Sequence, residues 1–496
     1  MDMAEDNLSD RESEKRNTSK ERNRLISKTS FTEWYDNVLL EAKIADDRYP
    51  VKGFTVYMGW GFSIVKKIIQ LLEENLEKHG HEPMQFPVVI PEDIFQKEAE
   101  HIAGFSGEVF WVTHAGENPL ERRLLLRPTS ETAIYPLFKI WIRSHADLPL
   151  KMHQTCNVYR YETKATRPLY RGREFLWNEA HTAHADFEDS EKQVEEGVEI
   201  YSYVYDLIGL SYLLLERPSF DKFAGAVYSI AFDAWNPDGK INQIGTVHQL
   251  GQNFSKAFEI TFENREGKQE FVFTTCYGMG FGRVLAAIIA QHGDDHGLVL
   301  PPIIAPKQIV IIPVTYKGYE EAINRHARDV LRLLEEANFR VVFDDSDLRP
   351  GEKYYRWEMF GVPIRIEVGP MEVNEGVVTL IRRDSRTRSK APLSKLVEAV
   401  NHLFADIYQN LKEKSWKKLN EEIIYSENLE ELKGLMEKRK IGKVNWCGDP
   451  DCAFKIKDSV VGEIRGSIWK KFEEAKGPCI VCGQPARKVV YVSRTI

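Results

Sequence analysis

Cysteine is scarce, six in 496 residues, too few for a disulfide-stapled scaffold, and 32 glycines and 22 prolines exclude a collagenous or low-complexity chain. Long apolar runs are missing as well. Stretches such as Ile309–Pro313 are strand-sized, and none approaches the roughly 20 residues needed to cross a bilayer. The N-terminus is charged where a secretory signal would be apolar, so the expectation is a soluble, cytoplasmic protein with no membrane partner. A basic excess is also absent: 67 Lys and Arg stand against 75 Asp and Glu, a net charge of −8, which over the whole chain argues against a protein that coats nucleic acid. No GxxxxGK[ST] occurs, which excludes a P-loop. What is present is length, enough for about three domains.

Residues 1–24 carry seven acidic and six basic side chains, with only Met1, Met3, Ala4 and Leu8 apolar. Such a segment cannot bury enough surface to order, and a disordered tail is expected over 1–28. From 29 to 301 the pattern is that of a folded core. Apolar residues recur at helical spacing through Ile64, Ile68, Leu71, Leu72 and Leu76, with Gly80 as a helix stop. Short β-like runs follow, among them Met152–Tyr161, Phe175–His184, Tyr228–Ala234 and Ile241–Leu250, interrupted by helical stretches at Ser130–Ser144, Ser190–Ile208 and Gly282–His292. This order predicts an antiparallel α+β domain. After Pro301, Pro302 and Pro306, strands and helices alternate over 306–411, predicting a compact α/β domain. Residues 412–496 read as charged and helix-rich.

The last segment holds Cys447-x4-Cys452 and Cys479-x2-Cys482. Two close thiol pairs of this spacing supply four thiolates to a structural Zn2+, with no open position for catalysis; two disulfides are the competing reading, disfavoured in a reducing compartment. Cys156 and Cys276 sit in apolar runs and read as core residues. His181 and His184 face opposite sides of a strand and cannot share an ion. More telling is Arg160-x-Glu162, with Arg171, Phe175 and Trp177 returning on a hairpin: guanidinium groups, a carboxylate and flat rings on one surface suit a nucleotide. A surface salt-bridge ladder explains the charges but not the rings. Gly278-x-Gly280-x-Gly282-Arg283 reads as a glycine-rich turn leading into a helix with an arginine near its start.

Arg160-x-Glu162 with Arg171 and Phe175 resembles motif 2 of the class II aminoacyl-tRNA synthetases, the helix before Gly80 with Phe86-Pro87 resembles motif 1, and Gly278–Arg283 resembles motif 3. Leu126–Thr132, Arg173–Trp177 and His248–Phe254 closely resemble the prolyl-tRNA synthetases of archaeal and eukaryotic type. The resemblance covers nearly everything from about residue 30 onward. It implies an antiparallel-sheet catalytic domain, an α/β anticodon-binding domain and a small α/β zinc-binding C-terminal domain, working as a homodimer on ATP, Mg2+, L-proline and tRNA(Pro).

The resemblance also implies roles. Arg160 would meet the α-phosphate and the substrate carboxylate, Arg171 and Arg283 the outer phosphates, and Phe175 the adenine, with Glu162 near its amine or Mg2+. Gln243 and Thr246 would contact nucleotide or substrate, Thr129 and Glu131 would accept from the proline ammonium, and Trp177, His181 and His248 would line its pocket. Two departures stand out. The family usually ends in a tyrosine whose carboxylate reaches the active site, where this chain has Ile496, and Phe281 replaces a motif 3 threonine. About 70 residues separate Arg173 from Gln243, which leaves no room for a cis-editing insertion, so alanine or cysteine should be misactivated without correction in cis. The run Arg382–Lys390, five basic residues against one acidic, reads in this context as a phosphate contact for tRNA. The rival readings are a class II synthetase of another specificity, threonine or serine being nearest, and a non-catalytic paralogue that binds tRNA or protein.

Overall fold

The computed structural model describes residues 26–97, 107–471 and 473–496, and all but 26–28 of the tail expected over 1–28 lies outside them. Helix α1 (Phe31–Glu41) and helix α2 (Gly59–Lys78) come first. The apolar stripe of α2, Ile64, Val65, Ile68, Leu72 and Leu76, is fully buried. Gly80 ends the segment at φ 82°, a left-handed conformation that costs a glycine nothing. Strands β1 (Val89–Pro91), β2 (Phe110–Ala115) and β3 (Asn118–Leu126) form a small sheet in the order β1-β3-β2, and helix α3 (Glu131–Trp141) follows.

The central sheet is built from β4 (Leu150–Tyr159), β5 (Glu174–His184), β6 (Leu213–Glu216), β7 (Tyr228–Trp235), β8 (Lys240–Gly251) and β9 (Phe273–Gly280), in the antiparallel order β6-β7-β8-β9-β5-β4. Helix α4 (Phe187–Leu207) and helix α5 (Phe281–His292) join α2 in the largest core, where Tyr201, Tyr205, Phe232 and Tyr277 meet. Burying such aromatic and aliphatic side chains stabilises by roughly 1.5–3 kcal/mol each. The chain between Arg173 and Gln243 is used up by β5, α4, β6 and β7.

A bulge sets the accessible face. Gly245 pairs with Phe232 but Gln243 pairs with Asp233, so Ile244 is the extra residue. Strict alternation would put Gln243 and Thr246 on opposite faces; the extra residue restores both to one side.

A second sheet follows in the order β11-β10-β12-β13-β14, from β10 (Ile309–Pro313), β11 (Val341–Phe343), β12 (Ile364–Val368), β13 (Val377–Arg382) and β14 (Arg388–Pro392), with helices α6 (Glu320–Glu336) and α7 (Pro350–Met359). Helix α8 (Leu396–Glu422) then runs 27 residues, straight across the division expected between 411 and 412. The segment expected to be helix-rich holds the end of α8, a helix at Leu429–Glu437 and helix α9 (Pro450–Val460), and adds four strands that the sequence reading did not place: β15 (Ile423–Tyr425), β16 (Ile441–Trp446), β17 (Glu463–Ile468) and β18 (Lys488–Thr495). Strand β17 pairs with β6 through Ser467–Glu216 and Ile468–Leu215, so these four strands, with the short strand Glu82–Pro83 beside β4, extend the central sheet to eleven.

Candidate active site

A cavity of about 350 Å³ opens on the sheet face away from the α2–α4–α5 core, and Thr129, Glu131, Arg160, Glu162, Arg171, Phe175, Trp177, His181, Gln243, Thr246, His248 and Arg283 all line it. Phe175 and Trp177 stand two apart on β5, their rings edge to face at 5.8 Å. Arg160 reaches the cavity differently from the expectation. Strand β4 ends at Tyr159, and a tight turn in which the Glu162 N–H donates to the Arg160 carbonyl (2.7 Å) replaces strand alternation. The Arg160 Nε donates to the Pro128 carbonyl at 3.0 Å, and its guanidinium lies 5.3 and 5.4 Å from the rings of Phe175 and Trp177.

The expected glycine-rich turn is also corrected. Gly278 and Gly280 belong to β9, and α5 starts directly at Phe281. Gly278 serves clearance: a Cβ there would stand 3.3 Å from the ring of Trp177. Arg283 is held by the carbonyls of Tyr170 (2.9 Å) and Gln243 (3.2 Å), and Arg171 donates to Ile496 O while its Nε lies 3.6 Å from Glu162. Burial, then the charges of Arg160 and Arg171, bring Arg283 down to about 10. Three guanidiniums that repel one another around one cavity make a site for an anion carrying several charges.

At the other end, Thr129 Oγ1 donates to Glu131 Oε2 at 2.5 Å. A residue absent from the sequence reading organises this region. Glu179, on β5 between Trp177 and His181, is buried and accepts from the Ser130 N–H (3.2 Å) and hydroxyl, Gln154 Nε2 (2.9 Å), the Cys156 thiol (3.4 Å) and His181 Nε2 (3.2 Å). Its place in the period-two series 177, 179, 181 was the available signal. Burial opposes charge on both partners, but their contact lowers the Glu179 carboxyl and raises the His181 imidazole. Cys276 is buried as expected and also lines the cavity, its thiol within 4.8 Å of ligand atoms of Glu131 and His181. His184 points elsewhere, to Asp189 (2.5 Å) and Thr182 (2.8 Å), and shares no ion site with His181.

His248 lies under the ring of Phe223 (4.7 Å), with Nδ1 2.8 Å from Ser229 Oγ and Nε2 2.9 Å from Thr246 Oγ1. Burial pushes it down to about 3, so it is neutral. The Phe223 N–H donates to Ser229 Oγ (2.9 Å), so the Ser229 hydroxyl joins the backbone to the ring, and the two hydroxyls hold the imidazole from both nitrogens. This is a positioning group rather than a base.

The basic run Arg382–Lys390 lies outside the cavity and is paired with carboxylates of the protein. Arg382 pairs with Asp384 (2.7 Å) and Asp406 (3.4 Å), Arg383 and Arg386 with Asp294 (2.6 and 3.6 Å), Arg388 with Glu367 and Lys390 with Glu375 (2.7 Å). All five cations are matched within the protein, each by at least one carboxylate from another element. Arg382 and Arg383 are thereby fixed within the fold, while the Arg386, Arg388 and Lys390 side chains remain largely exposed.

The four sulfurs of Cys447, Cys452, Cys479 and Cys482 lie within 4.8 Å of one another, with Cys447 and Cys482 3.8 Å apart. Four thiolates at Zn–S distances of about 2.3 Å stand about 3.8 Å apart, so the set fits a tetrahedral zinc site. Gly448 (φ 95°) and Gly483 (φ 70°) supply the left-handed turns of the two knuckles, and the Asp449 side chain caps α9, which carries Cys452.

Comparison with known proteins finds three family models in order: tRNA synthetase class II core domain (G, H, P, S and T) over residues 110–292, anticodon binding domain over 308–403, and prolyl-tRNA synthetase, C-terminal, over 429–496. The chain is 48% identical to a proline–tRNA ligase of Pyrococcus horikoshii over 471 residues, 94% of this chain and 98% of the relative. It is 47% identical to one of Methanothermobacter thermautotrophicus over 460 residues, 92% of this chain and 94% of the relative. Among solved structures it is similar to Giardia lamblia prolyl-tRNA synthetase in complex with prolyl-adenylate (TM-score 0.92, 34% identity, 96% of this chain and 100% of that one). A second is the prolyl-tRNA synthetase of Cryptosporidium parvum complexed with halofuginone and AMPPNP (TM-score 0.91, 32% identity, 96% and 100%).

Proposed function

Because this chain belongs to the class II prolyl-tRNA synthetases of archaeal and eukaryotic type, we propose how its own residues divide the work of that reaction. The enzyme activates L-proline with ATP as prolyl-adenylate and then charges tRNA(Pro). The proline carboxylate is already a nucleophile, so activation needs alignment and charge rather than a general base. Arg160, between the Thr129–Glu131 end and the phosphate end, neutralises the attacking carboxylate and the α-phosphate together. Arg171 and Arg283 hold the outer phosphates of a bent ATP, and Phe175 stacks on the adenine, with Glu162 near its amine.

Proline brings two N–H donors and a small apolar ring. Thr129 and Glu131 take the donors, while Trp177, His181 and His248 wall the ring. Gln243 and Thr246 meet the nucleotide from β8. In the second step the terminal ribose hydroxyl of tRNA attacks the mixed anhydride, and the departing AMP phosphate takes the proton.

Mg2+ is the counter-ion such a phosphate site calls for; the Glu162 and Glu174 carboxylates at the cavity are hard oxygen donors suited to it, and it would screen charge on the phosphates. We assign catalysis to 29–301, anticodon binding to 306–411 and the zinc-binding part to 412–496, with α8 shared across the second division. We also propose a homodimer in the cytoplasm: exposed Val88, Ile140 and Trp141 around Phe86 form an apolar area suited to a second copy, and all six cysteines are free of disulfides.

The observation that carries this reading is the convergence of Arg160, Arg171 and Arg283 on one cavity that also holds the Thr129–Glu131 acceptor pair. ATP–pyrophosphate exchange measured across the amino acids tests it. Proline should give the highest kcat/KM, with weaker exchange for alanine or cysteine; preference for threonine or serine would overturn it.

A further inference from the structure

Asp233, on β7, is fully buried between two guanidiniums from different parts of the chain. Arg217, just after β6, donates Nη2 to Asp233 Oδ1 at 3.2 Å. Arg465, on β17 of the C-terminal part, donates Nε to Oδ2 at 2.9 Å and Nη2 to Oδ1 at 3.3 Å, and its third arm reaches Glu463 at 2.8 Å. Arg217 is fixed at both ends: Nη1 donates to the backbone carbonyl of Arg465 (2.8 Å), and Nη2 also reaches Gln243 Oε1 at 2.5 Å. Only Arg217 and Gln243 of this group touch the cavity.

The last bond determines what Gln243 presents. An amide turned the other way would set its N–H groups against a guanidinium, so the carbonyl oxygen stays with Arg217 and the N–H2 donors face the cavity. Arg217 itself spends its two terminal nitrogens on the protein and is no spare phosphate ligand. Its task is orientation.

We propose that Arg465 is a positioning residue for the nucleotide pocket: by holding Asp233 and, through its carbonyl, Arg217, it fixes Gln243 with its donors toward the bound nucleotide. The C-terminal part thereby sets ATP affinity through side chains some distance from its cysteine cluster in sequence. This inference rests on the assignment of Gln243 to the nucleotide.

Arg465→Met keeps the backbone carbonyl that holds Arg217 Nη1 but empties the Asp233 oxygens that the Arg465 guanidinium occupied, so Arg217 Nη2 turns from Gln243 onto them. The expected result in ATP–pyrophosphate exchange is a rise in KM for ATP of about tenfold, with KM for proline unchanged. Arg465→Lys, which can keep one bond, should fall between, and it carries the test alone if Arg465→Met is not recovered folded. In a Gln243→Ala background Arg465→Met should add nothing further. An unchanged KM for ATP, an equal rise in KM for proline, or additive effects in the double variant overturns the proposal. Gln243→Ala with no effect of its own overturns the assignment of Gln243 and this inference with it, whereas an effect of Gln243→Ala without one of Arg465→Met overturns this inference alone.

Discussion

Arg383 and Asp294 form a two-bonded ion pair, 2.7 and 2.6 Å, that ties the β13–β14 hairpin to the segment directly after α5, the helix that carries Arg283. Burial works against the Asp294 charge, but the bonds from Arg383 hold its carboxyl below the usual range. The Arg383 side chain is buried and also donates to the Glu358 carbonyl at 3.0 Å. The anticodon-binding sheet and the helix that carries Arg283 are thus joined at a defined point.

Arg383→Ala should therefore lower stability by about 2–3 kcal/mol, less than a fully buried pair because Asp294 is partly exposed. Charging of tRNA should fall more than proline-dependent exchange, since only charging needs the two parts in register. The comparison of both rates with the Tm checks it; equal losses would show a general folding defect instead.

Glu179→Gln should weaken proline use selectively. The substituted amide turns an N–H2 toward donors that now meet a carboxylate, so the Ser130 loop and His181 lose their common acceptor. A penalty of about 1–3 kcal/mol corresponds to a fall in kcat/KM for proline of roughly 5–150-fold. KM for ATP should stay near that of the parent enzyme, and a matching rise in it would contradict the role.

Acid sensitivity should arise in part at His81. It is buried, with Nδ1 3.0 Å from the Leu76 carbonyl and Nε2 against the Tyr277 hydroxyl, and burial takes it down to about 4. A histidine whose folded value lies below its unfolded value near 6.5 binds its proton first in the unfolded chain. Its contribution is therefore complete above about pH 6.5 and is lost as pH falls toward 4, on the order of 3 kcal/mol over that window. His81→Gln, which does not titrate, should give a shallower fall of Tm between pH 7 and 5; parallel curves for the two proteins would exclude His81 as a source.

Features with a regular local period were legible in the sequence. The apolar stripe of α2, the Phe175–Trp177 face of β5 and the cysteine knuckles each rest on spacing within a few residues. What escaped depends on partners far along the chain. The bulge at Ile244, which brings Gln243 and Thr246 to one face, leaves no compositional mark, and the turn that carries Arg160 and Glu162 reads as more strand. The ion pairs of the basic run could not be read because its carboxylates Asp294, Glu367, Glu375 and Asp406 come from other elements. For the same reason net charge was a poor guide: it averages a mildly acidic chain over the local convergence of Arg160, Arg171 and Arg283.

These guanidiniums, with Arg160 in the middle, are held to stabilise the attack of the proline carboxylate on the α-phosphate, which breaks its bond to the departing pyrophosphate and leaves prolyl-adenylate. Proline-dependent ATP–pyrophosphate exchange by Arg160→Ala tests this role most directly. A loss of about a hundredfold or more with Tm little changed is expected. Exchange at the parent rate would contradict it.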